Sequence, residues 1–171
     1  MKKVRVLVVD DNRRIVNLLK NALEKEEEVE VVGTASDGEE ALQMIHLKRP
    51  DVVLLDLIMP KIDGLGVMER MQRPDFPVHP QVIVVSAVSQ ESVTEHAFAL
   101  GAAYYILKPF DTRVIIARVK SVGMTGEKGD KVVIVSPSSK IDKQFLKGAK
   151  KRIESWGVKV VMGKHAGGSV S

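Results

Sequence analysis

Residues 50–66, PDVVLLDLIMPKIDGLG, constrain the fold more than any other stretch of this 171-residue chain. Four consecutive apolar residues, Val52 to Leu55, run into a single acid, Asp56, followed by Leu57, Ile58, Met59 and Pro60. A short unbroken apolar run bounded by proline is the pattern of a strand buried on both faces, as in a parallel sheet covered by helices. An acid where such a strand ends stands at the carboxyl edge of the sheet, where open α/β folds place their chemistry.

The flanking sequence alternates strand and helix patterns. Val4 to Val9 is a β-branched run ending at Asp10, Asp11 and Asn12. Ile15, Leu18, Leu19 and Ala22 then recur at helical spacing. Val29, Val31 and Val32 form a half-exposed second strand, and Ser36 with Glu39 reads as a capping box for a helix through Ala41, Leu42 and Ile45 that Pro50 ends. A helix over Leu65 to Met71 stops before Pro74, Pro77 and Pro80. Val82 to Val85 is the fourth strand, ending at Ser86, and its helix carries Val93, Ala97 and Leu100 on one face up to Gly101. Ala103 to Leu107 is the fifth strand, ending at Lys108-Pro109, and Asp111 caps a helix with Val114, Ile115 and Val119. Five such units predict an α/β fold: a doubly wound parallel five-stranded sheet of order 2-1-3-4-5, flavodoxin-like, with right-handed crossovers.

The sequence then divides into a linker over 123–130, marked by Gly123, Gly126 and Gly129, and a further strand–helix–strand unit over 131–165. That unit comprises Val132 to Val135, a helix with Ile141, Phe145, Ala149, Ile153 and Trp156 on one stripe, and Val158 to Met162. A lone βαβ unit cannot bury both faces of its strands and must pack on something. It extends the sheet beyond the fifth strand or pairs with a second chain. Residues 166–171 read as a disordered tail.

Composition excludes several classes of function. No apolar run approaches the ~18 residues of a membrane span, and the opening MKKVRVLVVDD has no leader-like cleavage site. Cysteine is absent, which removes disulfides and thiolate metal sites and accords with a cytoplasmic location. Residues 1–125 carry 16 basic and 18 acidic side chains, whereas residues 126–171 carry 10 and 4. The basic segment holds just two aromatics, Phe145 and Trp156, so it lacks a base-stacking platform and reads as a solvated face. The phosphate-loop pattern G-x-x-x-x-G-K-[ST] does not occur.

The strand ends form a constellation. Asp10 and Asp11 follow the first strand, Asp56 the third, Ser86 closes the fourth and Lys108 follows the fifth. In the predicted strand order these ends are neighbours along one edge. Three carboxylates together repel unless a cation joins them, and an all-oxygen set suits a hard ion such as Mg²⁺, with Mn²⁺ as a substitute. A lysine, a hydroxyl and a divalent ion around one carboxylate would neutralise a phosphoryl group. Singly, each residue has a plainer role: a helix cap for Asp11 or Asn12, a turn hydroxyl for Ser86, a solvated charge for Lys108. Jointly, in this order, they point to phosphoryl chemistry.

VVDDN (8–12), LLDLIMPKIDG (54–64), VVSA (84–87) and LKPF (107–110) resemble the receiver domain of two-component response regulators over residues 3–122. LGAAYYILKPFD (100–111) and LIMPKIDGL resemble the receivers of sporulation master regulators in particular. The resemblance implies that Asp56 is the phosphoacceptor, that Asp10, Asp11, Asp56 and the backbone carbonyl of Ile58 hold Mg²⁺, and that Lys108 and Ser86 contact the phosphoryl group. It also implies that Ser86 and Tyr105 switch, that Lys108-Pro109 is a cis peptide, and that the partner is a histidine kinase or phosphotransferase. Self-association would use the face of the fourth helix, fifth strand and fifth helix, or the added strands. Ile58 and Val88, each two residues beyond Asp56 and Ser86, are apolar and cannot orient a water, so self-dephosphorylation is expected to be slow. A phosphohydrolase of the haloacid dehalogenase type would need an acid at Ile58.

GDKVVIVSPSSKIDKQFLKGAKKRIESWGVKVVMGKH (129–165) resembles the amino-terminal βαβ unit of LD-carboxypeptidases. No G-x-S-x-G occurs, and Ser136, Ser138 and Ser139 have no base beside them in sequence, while Ser139 with Asp142 reads as a helix cap. An inactive fragment is expected, and with it a chimera, with a rearranged gene as the alternative. Nothing in the chain resembles a helix-turn-helix for DNA.

Overall fold

The computed structural model describes residues 2–125, 131–135 and 158–162. The apolar runs form seven strands: β1 (Val4–Val9), β2 (Val29–Ala35), β3 (Val52–Leu55), β4 (Gln81–Ser86), β5 (Tyr104–Leu107), β6 (Lys131–Val135) and β7 (Val158–Met162). The helices are α1 (Arg13–Glu24), α2 (Gly38–Lys48), α3 (Gly64–Met71), α4 (Glu91–Ala99) and α5 (Thr112–Thr125). One parallel sheet runs β2-β1-β3-β4-β5-β6-β7. The 2-1-3-4-5 order predicted for the first five strands is present, and the added strands extend the sheet past β5. The predicted helix over 141–156, most of the linker and the tail at 166–171 lie outside the described residues.

Helices cover both faces. On one side Leu19 and Leu23 of α1 and Ile115, Val119 and Val122 of α5 pack with Val6, Val8, Val52, Leu54, Ile83, Val132 and Ile134. On the other, Ala41 and Ile45 of α2, Val67, Met68 and Met71 of α3 and Ala97 and Phe98 of α4 pack with Leu7, Val53, Leu55, Tyr105, Val133 and Val135. Strand residues alternate between these clusters, which is why the runs are continuously apolar. No helix of the described residues is long and apolar enough to cross a membrane.

Three local expectations need correction. The cap of α2 is Asp37, not the Ser36–Glu39 box: its side chain accepts from Glu40 N at 2.8 Å, and Ser36 Oγ instead meets Glu40 Oε2 at 3.3 Å. An aspartate caps at least as well as a serine, and its charge suits the helix N-terminus. Leu18 is exposed while Leu19 and Leu23 carry the buried stripe of α1. Gly123 does not begin a linker: it lies inside α5, where a Cβ would overlap Val4 Cγ1.

The crossover to β6 also departs from expectation. Chains move from β1 to β2 over the α1 face, and from β2 to β3, β3 to β4 and β4 to β5 in the opposite direction over the α2–α4 face. Those four share one hand. From β5 to β6 the chain moves in that same second direction, but through α5, which packs on the α1 face. Its hand is therefore opposite to the others. Since about 98% of such crossovers are right-handed, β5-α5-β6 is the left-handed one.

Candidate functional site

The carboxyl ends of β1, β3, β4 and β5 converge because backbone ties hold them level. Asp56 N donates to Val9 O at 2.9 Å and Lys108 N to Ser86 O at 3.0 Å. The next segment after β3 is clamped equally: Gly64 N donates to Leu57 O at 2.9 Å, and a Cβ on Gly64 would overlap the carbonyl oxygen of Asp56. Glycine is required there for α3 to start against the end of β3. Asp63 caps α3 through Gly66 N at 2.7 Å.

Asp10 and Asp56 are buried and Asp11 is exposed. Oxygens of the three lie within 4.8 Å of one another. Lys108 bridges two of them, its Nζ standing 2.7 Å from Asp10 Oδ2 and 3.5 Å from Asp56 Oδ2. The remaining oxygens are held by backbone donors: Asn12 N reaches Asp10 Oδ1 at 2.8 Å, and Ile58 N reaches Asp56 Oδ1 at 3.4 Å. Burial pushes the Asp56 carboxyl above its usual range; Lys108 pulls it back, Asp10 adds to the rise, and the Ile58 and Leu57 amides oppose it. An all-oxygen donor set of three carboxylates, one of them facing solvent, fits a hexacoordinate hard cation that retains waters. Receiver domains bind Mg²⁺ at an acidic pocket of this kind.

A line of hydroxyls leads away from the pocket. Ser86, fully buried at the end of β4, accepts from Val88 N at 3.2 Å. The fully buried Tyr105 donates its phenol hydrogen to Val88 O at 2.5 Å. Burial raises its phenol to about 12, the Ser86 and Thr94 hydroxyls oppose the rise, and the Asp56 charge adds to it. The Lys108-Pro109 peptide is cis. Thr94 escaped sequence reasoning. It is buried on α4 with Ala97 and Phe98, and the spacing 94, 97, 98 was the signal that a hydroxyl shares the core side.

Ile58 projects its side chain into solvent at 64% exposure, on the rim of a groove it shares with Leu57, Asp63, Leu65, Val88 and Val93. The structure thus brings Asp10, Asp11, Asp56, Ser86 and Lys108 to one sheet edge, with Tyr105 one layer below.

Residues 6–120 match the family model described as response regulator receiver domain. The receiver domain of the putative response regulator NarL from Mycobacterium tuberculosis is 33% identical, with a TM-score of 0.68 over 73% of this chain and 99% of that one. The REC domain of AraT, a response regulator from Geobacillus stearothermophilus, is 36% identical, with a TM-score of 0.59 over 68% and 92%. A chain of the CheX-CheY-BeF3-Mg complex from Borrelia burgdorferi is 33% identical, with a TM-score of 0.63 over 71% and 90%. A sheet edge that gathers carboxylates, a hydroxyl and a lysine, on a fold shared with these proteins, has one reading: through residues 6–120 this chain belongs to the response regulator receiver domain family.

Proposed function

We propose that Asp56 is the phosphoacceptor of this receiver, taking a phosphoryl group from the phosphohistidine of a histidine kinase or phosphotransferase. The observation that carries this is the Lys108 ammonium placed between Asp10 and Asp56, 3.5 Å from the acceptor oxygen. An Asp56 oxygen forms the new bond to phosphorus as the bond from phosphorus to the imidazole nitrogen breaks, and the imidazole leaves with the electron pair. Lys108 meets a phosphoryl oxygen carried on Asp56 without crossing the pocket, and the Ser86 hydroxyl supplies a second partner from β4. Asp10, Asp11, Asp56 and the Ile58 carbonyl would hold Mg²⁺, or Mn²⁺ with the same oxygen preference. When bound, the ion neutralises charge on the transferring group. The relative from a CheX-CheY complex with BeF3 and magnesium supports that reading.

Asp56 is the nucleophile and no acid stands two residues on, so the chain acts as an acceptor rather than a phosphatase. The family match ends at residue 120 while the sheet continues through β6 and β7, so the phosphoacceptor reading concerns the first five strands alone. A cytoplasmic location fits this reading, and the absence of cysteine is compatible with it. Acetyl phosphate with Mg²⁺ is the test. Stable labelling approaching one phosphoryl per chain, lost in Asp56→Ala, is expected. Multiple turnover on phosphomonoesters, or labelling that survives Asp56→Ala, would overturn the assignment.

A further inference from the structure

Lys61 is the strained point of the loop that follows Asp56. Its φ is +68°, and Ile62 N donates to Pro60 O at 2.9 Å across it, closing a three-residue turn. A γ-turn of positive φ is the rare and strained form. Glycine adopts such a backbone freely, whereas a lysine stays there only where its surroundings fix it.

Those surroundings are the starts of two helices. Gly38, buried in the first turn of α2, lies so close that a Cβ there would overlap the Ile62 carbonyl oxygen. From the other side, a Cβ on Gly66 of α3 would stand 2.8 Å from Ile62 Cγ2. Asp37, whose Oδ1 caps α2, has its Oδ2 3.7 Å from Lys61 Nζ. The Lys61 side chain is exposed, so that pair adds little, and the backbone contact at Gly38 is the firmer tie. Toward the site, Met59 is buried in the core and Ile58 N reaches Asp56 Oδ1 at 3.4 Å. The loop is thus pinned at Asp56, Met59 and Ile62, with Ile58 between the first two.

Gly38 has no positive φ to account for it, and alanine is the better helix former. The close approach of Ile62 is therefore the reason for glycine. We propose that Gly38 is a positioning residue for the cation site: by admitting the Ile62 carbonyl against the start of α2, it holds the Lys61 turn and, through it, the Ile58 carbonyl. This rests on the reading of that carbonyl as a metal ligand. A methyl group at Gly38 meets backbone, which cannot rotate aside as the tip of a side chain does, so the turn has to move.

Mg²⁺ titration of the full, unlabelled chain, followed by the amide resonances of Asp56 and Ile58, is the test. Gly38→Ala should weaken Mg²⁺ binding at least ~10-fold, the loss seen when a group that orients a metal ligand is removed. Gly123→Ala loads the packing against Val4 at the opposite edge of the sheet. It should lower stability yet keep the affinity within about twofold of wild type. Gly38→Ala binding as wild type does, or Gly123→Ala losing as much affinity, would overturn the proposal alone. Should Gly38→Ala fail to fold, exposed position 61 decides. Lys61→Val opposes the positive φ and should bind at least ~3-fold more weakly than Lys61→Gly, which favours it. Equal affinities of those two would again overturn the proposal. Wild-type amides at Asp56 and Ile58 that ignore Mg²⁺ would overturn the metal reading itself, and the proposal with it.

Discussion

Asp56 is held under conditions that oppose its own charge. Burial raises its carboxyl, and the folded chain therefore binds that proton more tightly than the unfolded chain does. Its stabilising contribution is complete below the unfolded value and is lost as pH rises through the folded one. At neutral pH the acceptor is a cost to the fold. Asp56→Asn in metal-free buffer should therefore be more stable at pH 7 by on the order of 1 kcal/mol, with the gain vanishing near pH 4. Urea midpoints at the two pH values check this, and a gain of equal size at both would contradict it. Signal lifetime is set nearby. Ile58 is exposed and Val88 half-buried on the same groove, and neither side chain can hydrogen-bond a water aimed at the phosphoryl group. Ile58→Asn with Val88→Glu should speed decay of the labelled protein at least ~10-fold, as positioned polar groups do in such transfers. An unchanged decay rate would show that water is positioned by something else.

At the scale of elements, the alternation of strands and helices was legible because continuous apolar runs have few other uses, and the site followed because its residues sit at strand ends. Asp10, Asp56, Ser86 and Lys108 are adjacent in space as soon as the strand order is known. What was not legible depends on partners distant in sequence. Ser36 and Asp37 are both competent caps, and only the path of the chain out of β2 selects Asp37. Gly123 reads as a helix breaker because glycine disfavours helices, yet its role is to admit Val4 against α5. This gives a sign-reversing prediction. Gly123→Ala should destabilise by roughly 1–3 kcal/mol through overpacking in wild type. In a Val4→Ala background, where the clash is removed, the same substitution should stabilise by up to about 1 kcal/mol through helix propensity. Thermal or urea unfolding of the four proteins measures the cycle, and additive effects would remove the packing explanation.

For the whole molecule, the sheet joins parts with different constraints. Strands β1 to β5 obey one crossover hand and carry every residue of the site, whereas β6 and β7 supply none of those residues and follow the reversed crossover. The sequence could not decide between sheet extension and pairing with another chain, because the hand of the last crossover depends on which face α5 takes, and that is fixed by its packing on β1, β3, β4 and α1. The division has a chemical consequence. Asp10, Asp56, Ser86 and Lys108 are tied to one another by backbone and side-chain bonds among β1, β3, β4 and β5, and none of those bonds reaches β6. Effects at sites without shared partners are close to additive. A chain ending after Thr125 should therefore still accept phosphoryl on Asp56 from acetyl phosphate, at a rate within about threefold of the full chain. It should also gain a tendency to self-associate, because β5 becomes an open edge with unpaired backbone groups. Labelling kinetics and light scattering on the two chains separate the outcomes. Labelling reduced more than ~10-fold in a folded, monomeric short chain would mean that the added strands support the acceptor pocket itself rather than only the strand beside it.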